Sequence, residues 1–209
     1  NRLNIPIRAG LINSIFGINF TDFKRKFLNP LEEIVIVKED RFKDLYYIAR
    51  HPYIAQIVFE QVLTKVEDRF NRFIEVLKEL NVVFESDRKA FREMIKANHL
   101  MDLFNQSHDM ISQIYDYAKE HSPDDPFVLQ QMAIYEFKRP NGNLIKAREY
   151  VVVAENLDSR NTSIMHTKAE LYLKLAETTK NSLEFERLLA EVSNSINQIE
   201  RLRQPDTYS

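Results

Sequence analysis

Three glycines in 209 residues constrain this chain more than any other feature. An average protein carries about 7% glycine, concentrated where the backbone takes a positive φ or turns tightly. A chain this poor in glycine has little material for the many hairpins of an all-β fold, so helices must supply most of its structure. Gly10, Gly17 and Gly142 are also isolated from one another, which leaves no glycine-rich phosphate loop within these residues. Apolar residues at 44% and charged residues at 29% suffice for a packed core and argue against disorder. Cysteine is absent, so no disulfide, zinc-thiolate site or thiol nucleophile is available.

Charge divides the chain unevenly. Residues 1–50 have a net charge of +3 and the remainder −5. The texture changes at the same place. Leu11, Ile12, Ile15 and Phe16 have helical spacing that stops near Gly17. Thr21 or Asp22 is placed to cap a short helix holding Phe23, Phe27 and Leu28, which Asn29-Pro30 ends. Glu33 to Lys38 is a β-branched run of strand length, and Lys43 to Arg50 is a second strand candidate rich in aromatic and branched residues. The intervening Glu39-Asp40-Arg41-Phe42 is short enough for a hairpin. Helices followed by a hairpin predict either a winged-helix-like subdomain or a plainer α+β cap.

Behind the hairpin the chain reads Tyr47-Ile48-Ala49-Arg50-His51-Pro52-Tyr53-Ile54-Ala55-Gln56-Ile57-Val58-Phe59-Glu60. Pro52 suits the first turn of a helix, and an apolar helix follows it. Over roughly residues 5–63 this segment resembles the winged-helix end of STAND-class P-loop NTPases, the signal-transducing ATPases that include NACHT and NB-ARC proteins. In that family a wing strand leads to a His at a helix start, which in several members approaches the nucleotide's phosphates and holds the off state. The resemblance places His51 in that role with Arg50 beside it; Pro52 stands where the common NB-ARC form has Asp. It further implies ATP or ADP and magnesium held by a domain upstream of Asn1, assembly on activation, and a cytoplasmic, bacterial antiphage setting. The residues alone also allow His51 simply to cap the helix or pack on the hairpin.

From Tyr53 onward helical spacing dominates. Val66, Phe70, Phe73, Leu77 and Leu80 form one apolar stripe. Thr64 with Glu67 fits a capping box, and Ser86 is placed to cap the next helix, with Phe91, Met94 and Ile95 inward. Tyr115, Ala118 and Pro123 are echoed 36 residues later by Val151, Ala154 and Ser159. This bulky, small, helix-stop pattern resembles the second helix of a tetratricopeptide repeat, whose usual period is roughly 34 residues. The extra length falls at Arg139-Pro140-Asn141-Gly142-Asn143. Residues 86–203 thus predict divergent tetratricopeptide-like pairs, with an irregular helical bundle as the plainer reading. The domain division expected is 1–63 for the winged-helix-like part and 64–209 for a mainly α, antiparallel helical array.

In this register the first helices of the pairs run over Pro126–Phe137 and Thr162–Leu175. Leu129, Met132, Ala133, Met165, Ala169 and Tyr172 face inward. Gln130, Gln131, Tyr135, His166, Lys168 and Glu170 are left for a groove that binds a protein partner, with Tyr135, Gln131, His166 and Lys168 as the leading contacts. In the last helix Phe185, Leu188, Leu189, Val192, Ile196 and Ile199 are expected inward, opposite a solvated Ser193, Asn194, Ser195, Asn197 and Gln198.

No catalytic or metal-binding residue is expected. His99, His108, His121 and His166 have no paired metal-ligand spacing, and no serine stands in a nucleophile motif. No run reaches the ~18 apolar residues of a membrane helix. Lys24-Arg25-Lys26 sits where a DNA-reading winged helix has its recognition helix, but flanking Phe23 and Phe27 and the slightly acidic whole disfavour nucleic acid. The expected function is therefore that of a regulatory and sensing region of a STAND-class NTPase, taking a protein trigger or the protein's own nucleotide-binding domain as partner. A free-standing repeat adaptor and a winged-helix DNA-binding regulator are the alternatives.

Overall fold

The computed structural model describes residues 5–39 and 43–203. They are mainly helical and fall into two compact units, one ending at Met110 and the other beginning at Ile111. The first unit contains β1 (Ile7–Arg8), α1 (Ala9–Phe16), α2 (Phe20–Phe23), β2 (Val35–Glu39), β3 (Leu45–Ala49), α3 (Pro52–Val62), α4 (Val66–Glu79), α5 (Glu85–Met94) and α6 (Ala97–Leu103).

Local chemistry explains most of these boundaries. α1 ends at Gly17, whose φ of +62° is the left-handed conformation that glycine takes without a Cβ clash, and whose N–H donates to the Asn13 carbonyl at 2.8 Å. Asn19, rather than Thr21 or Asp22, caps α2. Its backbone is extended, so its side-chain oxygen reaches the Asp22 N–H at 2.9 Å. α2 widens without a break into a π turn over Lys24–Leu28 and tightens into a 3-10 turn over Asn29–Leu31. Phe23 packs on Phe27 and on Tyr47 of β3, with ring centroids 5.4 and 5.0 Å apart.

The two expected strands pair antiparallel, from Val35 opposite Ala49 to Glu39 opposite Leu45. The turn residues Asp40, Arg41 and Phe42 lie outside the described residues. β1 adds a third strand on the far side of β3, giving the order β1-β3-β2.

Packing continues across the 63/64 boundary expected from sequence. α1 lies against α4, and β1 against α5. Phe73, Leu77, Phe91, Leu100 and Phe104 are buried together in this unit, with Phe70 and Phe73 meeting Phe104 edge-on at 6.0 and 5.3 Å. The expected caps at Thr64 and Ser86 are not used. Lys65 and Phe84 occupy the cap positions, and neither makes a side-chain cap hydrogen bond. Ser86 therefore lies two residues past the cap position, inside the first turn of α5.

α7 (His108–His121) leads into the second unit, followed by α8 (Pro126–Lys138), α9 (Leu144–Leu157), α10 (Thr162–Thr178) and α11 (Ser182–Arg203). Asp125, Asn143 and Asn161 cap α8, α9 and α10 by accepting from backbone N–H groups of the first turn. α8 pairs with α9 and α10 with α11, while α10 also packs on α8 and α9. Ala118, Ala133, Ala147 and Ala154 are fully buried, and such small side chains let helix axes approach closely.

α11 is rotated from the expected orientation. It buries Leu188, Val192, Ser195 and Ile199 and leaves Phe185 and Ile196 exposed. Ser195 is tolerated inside because its hydroxyl donates to the Glu191 carbonyl one turn back, at 3.0 Å. Among the described residues no helix is long and apolar enough to cross a membrane.

Candidate functional site

His51 closes β3 and opens α3. Its backbone is extended, and its Nδ1 accepts the Tyr53 N–H at 3.2 Å. Pro52 follows at the first helical position, where its missing N–H costs nothing. This geometry fixes the tautomer of the neutral ring. With Nδ1 accepting, the proton sits on Nε2, and that N–H has no acceptor among the described residues. The exposed imidazole therefore caps the helix with one nitrogen and keeps the other as a donor.

Arg50 has a different situation. Its backbone N–H donates to the Ile34 carbonyl at 2.7 Å, and its side chain reaches back over the same strand entry. Nε donates to the Glu33 carbonyl at 2.9 Å and Nη2 to the Glu32 carbonyl at 3.1 Å. The guanidinium thus fastens the end of β3 to the chain entering β2.

The expected groove face needs correction. Tyr135 and Gln131 are buried, and so is Gln130. α8 has neighbours on several sides: α9, α10 and, through Tyr115, α7. A helix enclosed in this way has no broad solvent face to give to polar residues, so its amides and phenol are accommodated inside. Tyr135 lies 5.6 Å from the Tyr115 ring, with the Arg139 guanidinium 5.7 Å from its own centroid. The Gln130 amide donates toward the Ser163 carbonyl, the Ser163 hydroxyl and the Thr167 hydroxyl of α10 at 2.8–2.9 Å.

Lys168 is also largely covered, with only 14% of its side chain exposed. Its ammonium pairs with Glu155 of α9 at 2.9 Å and Glu191 of α11 at 3.5 Å. Burial alone would lower its pKa, but the Glu155 hydrogen bond and the charges of Glu155, Glu191 and Tyr172 raise it above the ordinary lysine value. Of the four leading contacts only His166 is exposed, 3.7 Å from Glu170 on the next turn. The four do not form one open surface.

A feature that sequence reasoning misses lies in the first unit. β1, α1, the end of α3, α4, α5 and α6 line a mostly apolar, half-open cavity of about 510 Å³. Its lining residues are spread from Ile5 to Leu103, and no local period reports such convergence. Among the described residues no three potential metal ligands come together. No family model matches the chain, and no curated protein or solved structure is significantly similar to it.

Proposed function

We propose that this chain is the regulatory and sensing part of a STAND-class NTPase, non-catalytic in itself. A winged-helix-like element bears on an upstream nucleotide-binding domain, and tetratricopeptide-like helical pairs receive a protein trigger. The observation that carries this reading is His51: a cap through Nδ1, with an unpartnered Nε2–H beside the N-terminus of α3. Such a ring can donate a hydrogen bond to a phosphate oxygen, and the helix end adds partial positive charge. The sheet order β1-β3-β2 beside two short helices supports the winged-helix-like part. The α8–α9 and α10–α11 pairs, with Ala133, Ala147 and Ala154 buried in the first of them, support the repeat-like part. Antiphage defence is the biological setting of this reading.

The switch works by population. A trigger must bind the open state better than the closed one, and any contact that holds the closed state sets the threshold. The test separates the two jobs of His51 in the protein carrying its upstream domain. His51→Ala removes both cap and donor, whereas His51→Asp keeps a good N-cap and, as a carboxylate, has no donor to offer. Both variants should raise basal nucleotide-dependent activity. If His51→Asp behaves as wild type, the ring is only a cap and the reading fails.

A further inference from the structure

The cavity in the first unit is independent of His51 and has its own chemistry. Its apolar wall includes Leu11, Phe59, Phe73, Val76, Met94 and Leu103. A volume of about 510 Å³ lies within the range of small-molecule sites, roughly 300–1,000 Å³. Of the ionisable groups in the lining, Arg8 and Asp87 satisfy each other. Arg72 pairs with Glu75. His99 has Nδ1 3.1 Å from the Glu93 carbonyl.

Arg69 stands apart. It is half-buried, its Nε donates to the Leu63 carbonyl at 2.6 Å, and its guanidinium lies 5.3 Å from the Phe59 centroid. Its two Nη groups have no acceptor among the described residues. The Leu63 contact and the Phe59 ring hold the fork in place while leaving its outer edge unused. A partly desolvated guanidinium in an apolar wall favours an anion, and its planar fork matches a carboxylate in particular. Asp102 also lines the cavity, has no paired cation among the described residues, and opposes a second negative charge.

We propose that this cavity is a binding site for a small amphiphilic monocarboxylate, its aliphatic body among the apolar side chains and its carboxylate on the outer edge of Arg69. The probe is decanoate, titrated calorimetrically into the 209-residue chain below its micellar concentration, with 1-decanol as the uncharged counterpart. Decanoate should bind saturably at one site and at least about tenfold more tightly than decanol, the worth of one charge-assisted contact. Arg69→Gln keeps a donor for the Leu63 carbonyl and should lose that preference while circular dichroism stays unchanged. Ala90→Phe fills the cavity from α5 and should abolish binding of both probes. The wild-type comparison needs no variant to fold. Absence of saturable decanoate binding, equal affinity for decanol, or binding that survives Ala90→Phe in a folded protein each overturns the proposal.

Discussion

Arg8 and Asp87 are 79 residues apart in the chain and 2.8 Å apart in the fold. Nη2 of Arg8 meets Oδ2 of Asp87, and Nε lies 3.2 Å from both carboxylate oxygens. Asp87 is 1% exposed and also accepts from the Asn81 N–H at 3.2 Å. The Arg8 guanidinium sits 4.1 Å over the Phe84 ring. The carboxylate's hydrogen bond raises the Arg8 pKa despite the opposing effect of burial, so the guanidinium keeps its charge. This contact fastens the short strand β1 to α5 and is one reason the first unit does not end at residue 63.

Removing one partner strands the other. Arg8→Met should cost about 3–5 kcal/mol, because it leaves a buried carboxylate without its cation. The double variant Arg8→Met/Asp87→Leu should recover much of that loss, since replacing a buried pair by apolar groups is often close to neutral. Urea unfolding of Arg8→Met, Asp87→Leu and the double variant gives the coupling energy directly. Single variants with wild-type midpoints would mean that the tie contributes nothing.

Tyr47 offers a gain. It is buried in the central strand β3, and its hydroxyl has no hydrogen-bond partner among the described residues. Burial also raises its pKa, since a phenolate would be worse placed there than a phenol. Tyr47→Phe removes the orphaned group and keeps the ring against Phe23. It should stabilise the first unit by about 1 kcal/mol, a rise of about 2–4 °C in melting midpoint. A lower midpoint would show that the hydroxyl is satisfied in solution.

What was legible in the sequence was local. α8 and α10 begin at the expected Pro126 and Thr162, because a capping Asp125 or Asn161 and a helix-compatible first turn act within a few residues. The hairpin strands were visible in their β-branched runs. β1 was not, because two residues carry no period. The π turn after Phe23 buries Leu28 and leaves Phe27 exposed, a widening that spacing alone does not express. The faces of α8 were misjudged for a related reason. Polarity marks a solvent face only when a helix has one, and Gln130 finds its acceptors on α10 instead. His51 was legible as a residue of interest, but the choice of Nδ1 as acceptor is a matter of geometry. The cavity and its Arg69 depend on six elements meeting, so no stretch of chain announces them.

The α8–α9 turn depends on a glycine. A Cβ built at Gly142 would lie 1.8 Å from the Glu136 carbonyl oxygen, far inside contact distance. The Glu136 side chain reinforces the same close turn, accepting from the Asn143 N–H at 2.9 Å and from Arg139 at 2.8 Å. Gly142→Ala should therefore cost about 2 kcal/mol or more, the range of strained backbone substitutions. Proteolysis should open the 139–143 turn faster in the variant. Unchanged stability and cleavage would mean the turn has room that its geometry denies.

Lys168 gives the pH-dependent case. It joins α10 to α9 and α11 through Glu155 and Glu191, and its pKa is raised in the folded chain. A cation whose folded pKa exceeds its unfolded value stabilises fully below the unfolded value, 10.5 for lysine, and loses that contribution as pH climbs through the folded value. At neutral pH Lys168→Met should destabilise the second unit by about 1–2 kcal/mol, between an exposed and a fully buried pair. The difference from wild type should stay constant through mildly alkaline pH and shrink only above 10.5, where the wild-type ammonium begins to lose its proton. Urea titrations at a series of alkaline pH values measure this directly. A difference that closes well below 10.5 would place the ammonium in a desolvated site without effective partners, contrary to its contacts with the two glutamates.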